Sequence, residues 1–90
     1  MDLEAFKAEL KRDGYNEVLE KTYAPNQLVG KHVHDFSARA LVTAGDMVIN
    51  WSDVSRSYRT GEIFEVQIGD EHSEQYGPQG ATYLVGRKFA

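Results

Sequence analysis

The sequence predicts an all-β fold, a barrel or sandwich of short antiparallel strands preceded by one short helix. From residue 15 onward, roughly seven or eight strand-like runs recur at about ten-residue spacing, as in β-sandwiches and barrels. Glycine, proline, asparagine and aspartate separate most of these runs and supply the turns between them. Only the first dozen or so residues instead repeat apolar side chains at helical spacing.

The predicted helix covers residues 2–12. Asp2 is a suitable N-cap, since its carboxylate can accept a hydrogen bond from a free backbone N–H of the first turn. Leu3, Phe6 and Leu10 recur at i, i+3 and i+7 and form one apolar stripe. Because this stripe is narrow, we expect the helix to pack on the outside of the strands.

The strand-like runs follow the helix in an unbroken series. They are residues 15–23, 34–43, 47–51, 54–59, 63–68, 72–76 and 81–88. Ala44-Gly45-Asp46 is predicted to break the chain after the second run, and the sequence GPQG at 77–80 is predicted to be a turn. With no repeat and no linker in the sequence, we expect residues 1–90 to form a single domain whose barrel spans residues 15–88.

Composition excludes several classes of function. The chain has 90 residues, 41% of them hydrophobic and 27% charged, which is typical of a globular domain. Its net charge of −4 and its scattered basic residues argue against nucleic acid as a partner. No run approaches the roughly 20 apolar residues of a membrane span. The chain lacks cysteine and a recognisable signal peptide, so we expect it to be cytoplasmic.

His32 and His34 are the first candidates for a functional site. In a strand, side chains at i and i+2 lie on one face, about 6.5–7 Å apart. Two imidazoles at that spacing can converge on one metal ion. Alone, such a pair is weak evidence, because histidines on the polar edge of a strand are common. The spacing of the third histidine, His72, decides how much weight the pair carries.

The histidines fall in a pattern that resembles the two motifs of the cupin superfamily. The first motif reads G-x5-H-x-H-x3,4-E-x6-G, and here it supplies His32, His34 and the closing Gly45. The second reads G-x5-P-x-G-x2-H-x3-N, and here it supplies Gly61, Gly69 and His72. All three histidines of the chain thus occupy the histidine-ligand positions of the family.

The resemblance implies a fold, a cofactor and a class of function. The fold would be the cupin double-stranded β-helix, a jelly-roll barrel, and small members commonly form homodimers. The cofactor would be a divalent metal ion on His32, His34 and His72, with iron, manganese, nickel, zinc and copper all open. Members with three-histidine sites include enzymes that use oxygen to cleave small carbon or thiol compounds. The predicted function is therefore a metal-dependent, dioxygenase-like enzyme acting on a small organic molecule.

Several motif positions depart from the family pattern. The mild departures are Asn26, Gln67 and Tyr76 in place of glycine, proline and asparagine. The serious departure concerns the acidic ligand, whose two allowed positions hold Ala38 and Arg39. By strand parity Ala38 shares the inward face with His34 and leaves an open slot there. If a bulge turned Arg39 inward instead, its guanidinium could hold an anionic substrate.

Three outcomes therefore remain open for the site. Three imidazoles alone can bind a metal and leave positions for water or substrate. Glu74 can complete the ligand set, because it lies two residues beyond His72 on the same strand face, whereas parity turns Asp35 away from His34. Alternatively, the chain has lost the metal and is a non-catalytic module that binds or senses a small ligand.

The remaining pocket candidates are aromatic or small. Phe36, Ala40 and Val42 share the inward parity of the histidines and would make an apolar wall. Tyr58, Tyr76 and Tyr83 could each place a hydroxyl at the pocket, although packing in the core is the more common role of a tyrosine. The predicted substrate pocket comprises Phe36, Ala38, Arg39, Tyr58 and Tyr76.

Overall fold

The computed structural model describes residues 2–89, which form one helix and six strands in a single antiparallel sheet. The elements are α1 (Leu3–Arg12), β1 (Glu17–Tyr23), β2 (Leu28–His32), β3 (Phe36–Asn50), β4 (Ser55–Arg59), β5 (Ile63–Val66) and β6 (His72–Phe89). The all-β fold and its short N-terminal helix are confirmed.

Two long strands, β3 and β6, form the central pair of the fold. They pair along almost their whole length, from Phe36 opposite Phe89 to Asn50 opposite Ser73. Near one end, β1 joins β6 and β5 joins β3, which gives the layer β1-β6-β3-β5. Near the other end, β2 joins β6 and β4 joins β3, which gives the layer β2-β6-β3-β4. The two layers enclose the main core as a jelly-roll barrel.

The long strands pass from one layer to the other at Gly45 and Gly80. Both glycines have a φ of +71°, which favours a residue without a side chain. A Cβ on Gly45 would lie 2.0 Å from the Gly80 carbonyl oxygen, so the two strands approach closely only because no side chain is present. The predicted break at 44–46 and the predicted turn at 77–80 are therefore wrong. Both are corners within continuous strands.

The strand β2 is absent from the sequence prediction. Its residues Leu28 and Val29 pair with the start of β6, and its register shifts before His32 pairs with His72. Only Val29 and His32 of its five residues are half-buried, so the alternation of apolar residues is too weak to reveal it. Ahead of it, Asn26 adopts a φ of 60°. Asparagine tolerates this conformation better than most residues, so it can replace the glycine of the motif.

The main core lies between the two layers. Alternate residues of β3 face inward, including Ala38, Ala40 and Val42, as parity predicts. They pack against inward side chains from the other long strand and from β5. The buried residues of this core are Ala38, Ala40, Val42, Met47, Ile49, Phe64, Val66, Tyr76, Ala81, Tyr83 and Val85.

The helix α1 packs on the outer face of the barrel. Asp2 caps it by accepting a hydrogen bond from the Ala5 N–H at 2.8 Å. Phe6 and Leu10 are fully buried in a second apolar cluster that also contains Tyr15, Leu41 and Leu84. The N-cap, the apolar stripe and the external position of this helix are confirmed. Among residues 2–89, no helix has the length and hydrophobicity needed to cross a membrane.

Candidate metal centre

The three histidines meet at one end of the barrel. His32 is the last residue of β2, His72 is the first residue of β6, and the two are direct partners in the antiparallel register. One ring nitrogen from each of His32, His34 and His72 can be chosen so that all three lie within 4.8 Å of one another. Among the described residues, these three histidines are the group of at least three histidine, cysteine, aspartate or glutamate side chains whose ligand atoms lie close enough to share a metal ion.

His34 reaches this group from a different position than the sequence predicts. It lies in the connection 33–35 between β2 and β3, not at the start of a strand. Its ring nevertheless meets that of His32 edge-on, with ring centres 4.7 Å apart. The short connection therefore brings the two imidazoles together without the i, i+2 geometry of a single strand.

Backbone carbonyls orient two of the three imidazoles. The Nδ1–H of His32 donates to the Gly30 carbonyl at 2.7 Å, and the Nδ1–H of His72 donates to the Asp70 carbonyl at 2.9 Å. Because a carbonyl can only accept, each neutral ring carries its proton on Nδ1 and keeps the lone pair of Nε2 free. This second hydrogen bond is the usual support of a metal-binding histidine. The donor set therefore fits a first-row divalent ion.

Glu74 lies beside two of the histidines. One carboxylate oxygen, Oε2, is 3.3 Å from His32 Nε2 and 3.5 Å from His72 Nε2. The other oxygen, Oε1, accepts a hydrogen bond from the Tyr76 hydroxyl. The Glu74 side chain is only 9% exposed. A buried carboxylate thus lies on the same face as His72, as strand parity predicts for this candidate ligand.

The electrostatics of the site follow from this packing. Burial raises the pKa of Glu74, but hydrogen bonds from Tyr76 and from the protonated form of His72, together with the charges of the protonated histidines, outweigh burial, so the net pKa is lowered. The hydrogen bond with Glu74 raises the pKa of His72 against the effect of burial. For His34, burial and the charges of the two other histidines lower the pKa. The site therefore favours an ionised carboxylate at neutral pH.

A cavity of about 260 Å³ opens beside the histidines. Its walls combine apolar and aromatic side chains with a few charged groups. They are Lys21, Tyr23, Val29, His32, His34, Phe36, Ala38, Phe64, Val66, His72, Glu74, Tyr83, Val85 and Arg87. Phe36 stacks on His34 with ring centres 4.5 Å apart. Ala38 lies in the wall at the position where the cupin motif has its acidic ligand.

Three predicted pocket residues lie outside this cavity. Arg39 points to the opposite face of β3, where it bonds to Asp13 at 2.6 Å and lies over the Tyr15 ring. No bulge turns it inward, because Arg39 keeps the regular register of β3. Tyr58 packs against Phe64 in the core.

Tyr76 is the third of these residues, and it acts indirectly. It is buried and does not line the cavity, but its hydroxyl bonds to Glu74. Its ring stacks on Tyr23 with centres 4.2 Å apart. The Tyr76 side chain, which lies outside the cavity lining, therefore fixes the position of the Glu74 carboxylate.

Two charged residues of the cavity wall are missing from the sequence prediction. Arg87 lies on β6 and Lys21 on β1, and both line the cavity. A signal for Arg87 is present in the sequence, because Ala81, Tyr83 and Val85 alternate inward along the same strand and Arg87 continues that parity.

Comparison with solved structures identifies the fold. An RmlC-like cupin from Shewanella frigidimarina NCIMB 400 superposes with a TM-score of 0.70 at 19% identity over 81% of this chain and 65% of its own. A double-stranded β-helix protein from Klebsiella pneumoniae gives 0.68 at 19% identity, with 79% and 64% covered. A cupin superfamily protein from Desulfitobacterium hafniense DCB-2 gives 0.66 at 14% identity, with 81% and 79% covered.

These similarities show the cupin fold, the double-stranded β-helix that the motifs predict. The chain spans about two thirds of the length of the first two of these proteins. No protein-family model and no curated protein sequence matches the chain. The barrel thus has the cupin fold and carries, at one end, three histidines arranged to share a metal ion.

Proposed function

We propose that this cupin-fold protein binds a divalent first-row metal ion through His32, His34 and His72 and is a metal-dependent enzyme acting on a small organic molecule. The observation that carries the proposal is the convergence of three ring nitrogens within 4.8 Å beside a cavity of about 260 Å³. Three protein ligands leave coordination positions open, which is typical of catalytic rather than structural metal sites.

Different groups of the barrel have different roles at such a site. The histidines hold the ion, and the Gly30 and Asp70 carbonyls keep two of them in the tautomer that can bind it. Apolar residues such as Phe36 and Val66 form part of the cavity wall, where they can contact the apolar part of a small organic molecule. The Glu74 carboxylate, held by Tyr76, lies where it can accept a proton from a bound molecule or act as a fourth ligand.

The metal ion supplies Lewis acidity or one-electron redox chemistry. Imidazole ligands suit iron, nickel, zinc and copper, and a carboxylate adds affinity for manganese. Dioxygenase-like chemistry is the form that the motif resemblance favours, because three-histidine members of the cupin superfamily include such enzymes.

A non-catalytic module that binds or senses a small ligand is the second candidate. It is favoured by the hydrogen bonds among the polar groups of the site. Tyr76 donates to Glu74, and Glu74 lies within reach of both His32 and His72. When His72 is protonated and its Nε2–H donates to Glu74, this network is satisfied without an ion, so the same cavity can bind a ligand through histidine and carboxylate groups alone.

Metal analysis of protein purified without an affinity tag separates the two functions. We expect about one equivalent of a first-row metal, and we expect alanine at His32, His34 or His72 to abolish tight binding in isothermal titration. Asp53→Asn, at an exposed residue away from the cavity, is the control and should bind metal normally. Oxygen consumption across a panel of small substrates then tests for enzyme activity. Metal-free protein whose divalent-ion binding is unchanged by the alanine variants would exclude the metal enzyme.

Glu74→Gln tests the role of the carboxylate. The variant keeps the shape of the side chain and removes its charge, so metal affinity should fall if Glu74 is a ligand. A loss of roughly tenfold to a hundredfold is expected, as for groups that bind or orient a metal centre. Tyr76→Phe is the matched comparison, since it removes only the hydrogen bond to Glu74. Unchanged affinity in Glu74→Gln would leave a site of three histidines and solvent.

A further inference from the structure

Arg87 lines the cavity, and one of its hydrogen-bond donors, the Nε–H, is unpaired in the protein. Its Nε is fully buried and has no hydrogen-bond partner in the protein. Its guanidinium carbon lies 4.6 Å from the centre of the Phe36 ring, and Phe36 in turn stacks on His34. A buried N–H of a charged group without a partner is costly, so this donor needs a reason to be there.

The neighbours of Arg87 in the sheet explain why the donor is free. Arg87 is the direct antiparallel partner of Ala38, so their side chains lie on the same inward face. Ala38 occupies the position where the cupin motif has its acidic ligand. A carboxylate there would lie beside the guanidinium. The alanine therefore removes the group best placed to pair with Arg87 inside the cavity.

The remaining carboxylates do not complete this pairing. Glu17, the partner of Arg87 on the other side, contacts only Nη1, at 3.1 Å, and its side chain is 51% exposed at the rim. Glu74 is engaged by Tyr76 and lies against His32 and His72. Lys21 adds a second cation to the cavity wall. The cavity wall thus carries two cations as well as the histidines, with space where the motif carboxylate would be.

We propose that the ligand of this cavity is a small organic carboxylate, which Arg87 binds in the space left by Ala38. A carboxylate presents two oxygens in one plane and matches the planar fork of a guanidinium. Its charge offsets Arg87 and Lys21, while the rest of the molecule faces the histidines. This inference rests on the proposed function, because it takes the ligand of the cavity to be the substrate of the metal site. Arg87 is then the residue that selects the anionic end of that substrate.

The test measures binding of acetate, of its uncharged analogue acetamide and of inorganic phosphate by NMR at constant ionic strength. The reporters are the Arg87 Nε–H signal and the backbone amides of β3 and β6. We expect acetate to shift these signals and acetamide not to. Arg87→Gln should weaken acetate binding roughly tenfold or more, the size expected for a charge-assisted hydrogen bond. Arg59→Gln is the matched control, because the Arg59 side chain is 81% exposed and lies outside the cavity.

Two further variants keep the test decisive if Arg87→Gln folds poorly. Arg87→Lys retains the charge and loses the planar fork, so its acetate affinity should lie between those of the wild type and the glutamine variant. Ala38→Glu leaves Arg87 intact and places a competing carboxylate beside it, so acetate affinity should fall by a similar factor. Equal binding of acetate and acetamide, or acetate affinity unchanged in these variants, would overturn the inference. If inorganic phosphate bound through Arg87 more tightly than acetate, the assignment of the ligand as a carboxylate would be wrong.

The same samples separate this inference from the proposed metal function. Acetate is first titrated into the metal-free protein and then into protein with added Zn²⁺. Histidine-dependent Zn²⁺ binding with acetate binding indifferent to Arg87 rejects the carboxylate inference alone. Arg87-dependent acetate binding in a protein that does not bind Zn²⁺ rejects the metal function, and the cavity then belongs to a carboxylate-binding module.

Discussion

Arg39 and Arg87 lie on adjacent, paired strands of one barrel wall, and each lies over an aromatic ring, yet the pairing of their polar groups differs. Arg39, on the outer face, bonds to Asp13 at 2.6 Å, lies 3.7 Å from a Glu65 oxygen and covers the Tyr15 ring. Arg87, on the inner face, covers the Phe36 ring but has only one rim contact, to Glu17, and a buried Nε without a partner. The outer arginine is thus satisfied by the fold itself, whereas the inner one is not.

The difference separates groups that stabilise the barrel from groups that are available to a ligand. Side chains on the outer face join the segment after α1 to the sheet through ion pairs and ring contacts. Side chains on the inner face, near the histidines, line a cavity and include one unpaired donor, the Arg87 Nε–H, and the lone pairs of the imidazoles. The two faces should therefore respond differently to the same kind of change.

The largest expected difference is the response to metal. Zn²⁺ at a hundred times its dissociation constant should raise the free energy of unfolding of the wild type by about 2.7 kcal/mol. His72→Ala, on the inner face, should lose this increment, whereas Asp13→Asn, on the outer face, should keep it. The increment is measured within each variant by urea unfolding with and without Zn²⁺. Retention of the full increment by His72→Ala would place the ion elsewhere.

Replacing each arginine by methionine should give an intermediate effect. Arg39→Met loses its ion pairs and its contact with Tyr15, so the free energy of unfolding should fall by about 1 kcal/mol. Arg87→Met loses one rim contact and the contact with the Phe36 ring but also removes an unpaired buried donor, so these effects should nearly cancel and the change should stay within about 0.5 kcal/mol. Urea unfolding without ligand measures both. An Arg87→Met loss equal to that of Arg39→Met would show that both arginines are structural.

The smallest expected effect is a pH dependence that comes from the outer face. Hydrogen bonds from Arg12 and then Arg39 hold the pKa of Asp13 well below its usual range. The folded state therefore binds this proton less readily than the unfolded state, in which the pKa is about 3.9. The stabilisation is present above that pH and is lost as the pH falls toward the lower, folded value.

Asp13→Asn measures this contribution. The difference in unfolding midpoint between wild type and variant should be constant between pH 7 and pH 5 and should shrink at pH 4 and pH 3. Asp53→Asn, at an exposed position, serves as the control for general acid effects. A difference that grows as the pH falls would contradict the assigned direction of the pKa shift.

Spacing and parity were sufficient to predict much of the fold from the sequence. The N-cap at Asp2, the apolar stripe of α1 and the inward alternation of β3 follow from local periodicity, and each is confirmed. The corners at Gly45 and Gly80 could not be predicted in the same way. Glycine and proline there resemble a chain break, because their effect depends on a close approach between two strands that are distant in sequence.

The candidate site likewise combines residues that local patterns predict with residues whose role depends on contacts between distant strands. The histidine positions came from motif spacing, and parity placed Glu74 beside His72. An inward Arg39 requires a bulge that β3 lacks, whereas strand parity alone predicts the outward position that the structure shows. The sequence prediction omits Arg87, although strand parity places its side chain on the inward face. Its relevance to the site comes from its position opposite Ala38 in the sheet. That pairing across the sheet joins residues far apart in the chain and is fixed only by the register.

The sharing of β3 and β6 by both layers has a consequence for how the chain folds. Each layer consists of one end of this long pair together with the two short strands attached to that end, so neither layer is complete without both β3 and β6. The contact between Glu17 and Arg87 closes a loop of 70 residues, so ordering the wall around Arg87 requires the two ends of the sequence to meet. Proteins dominated by such non-local pairing typically fold in milliseconds to seconds. The cavity should therefore form late, together with the barrel as a whole.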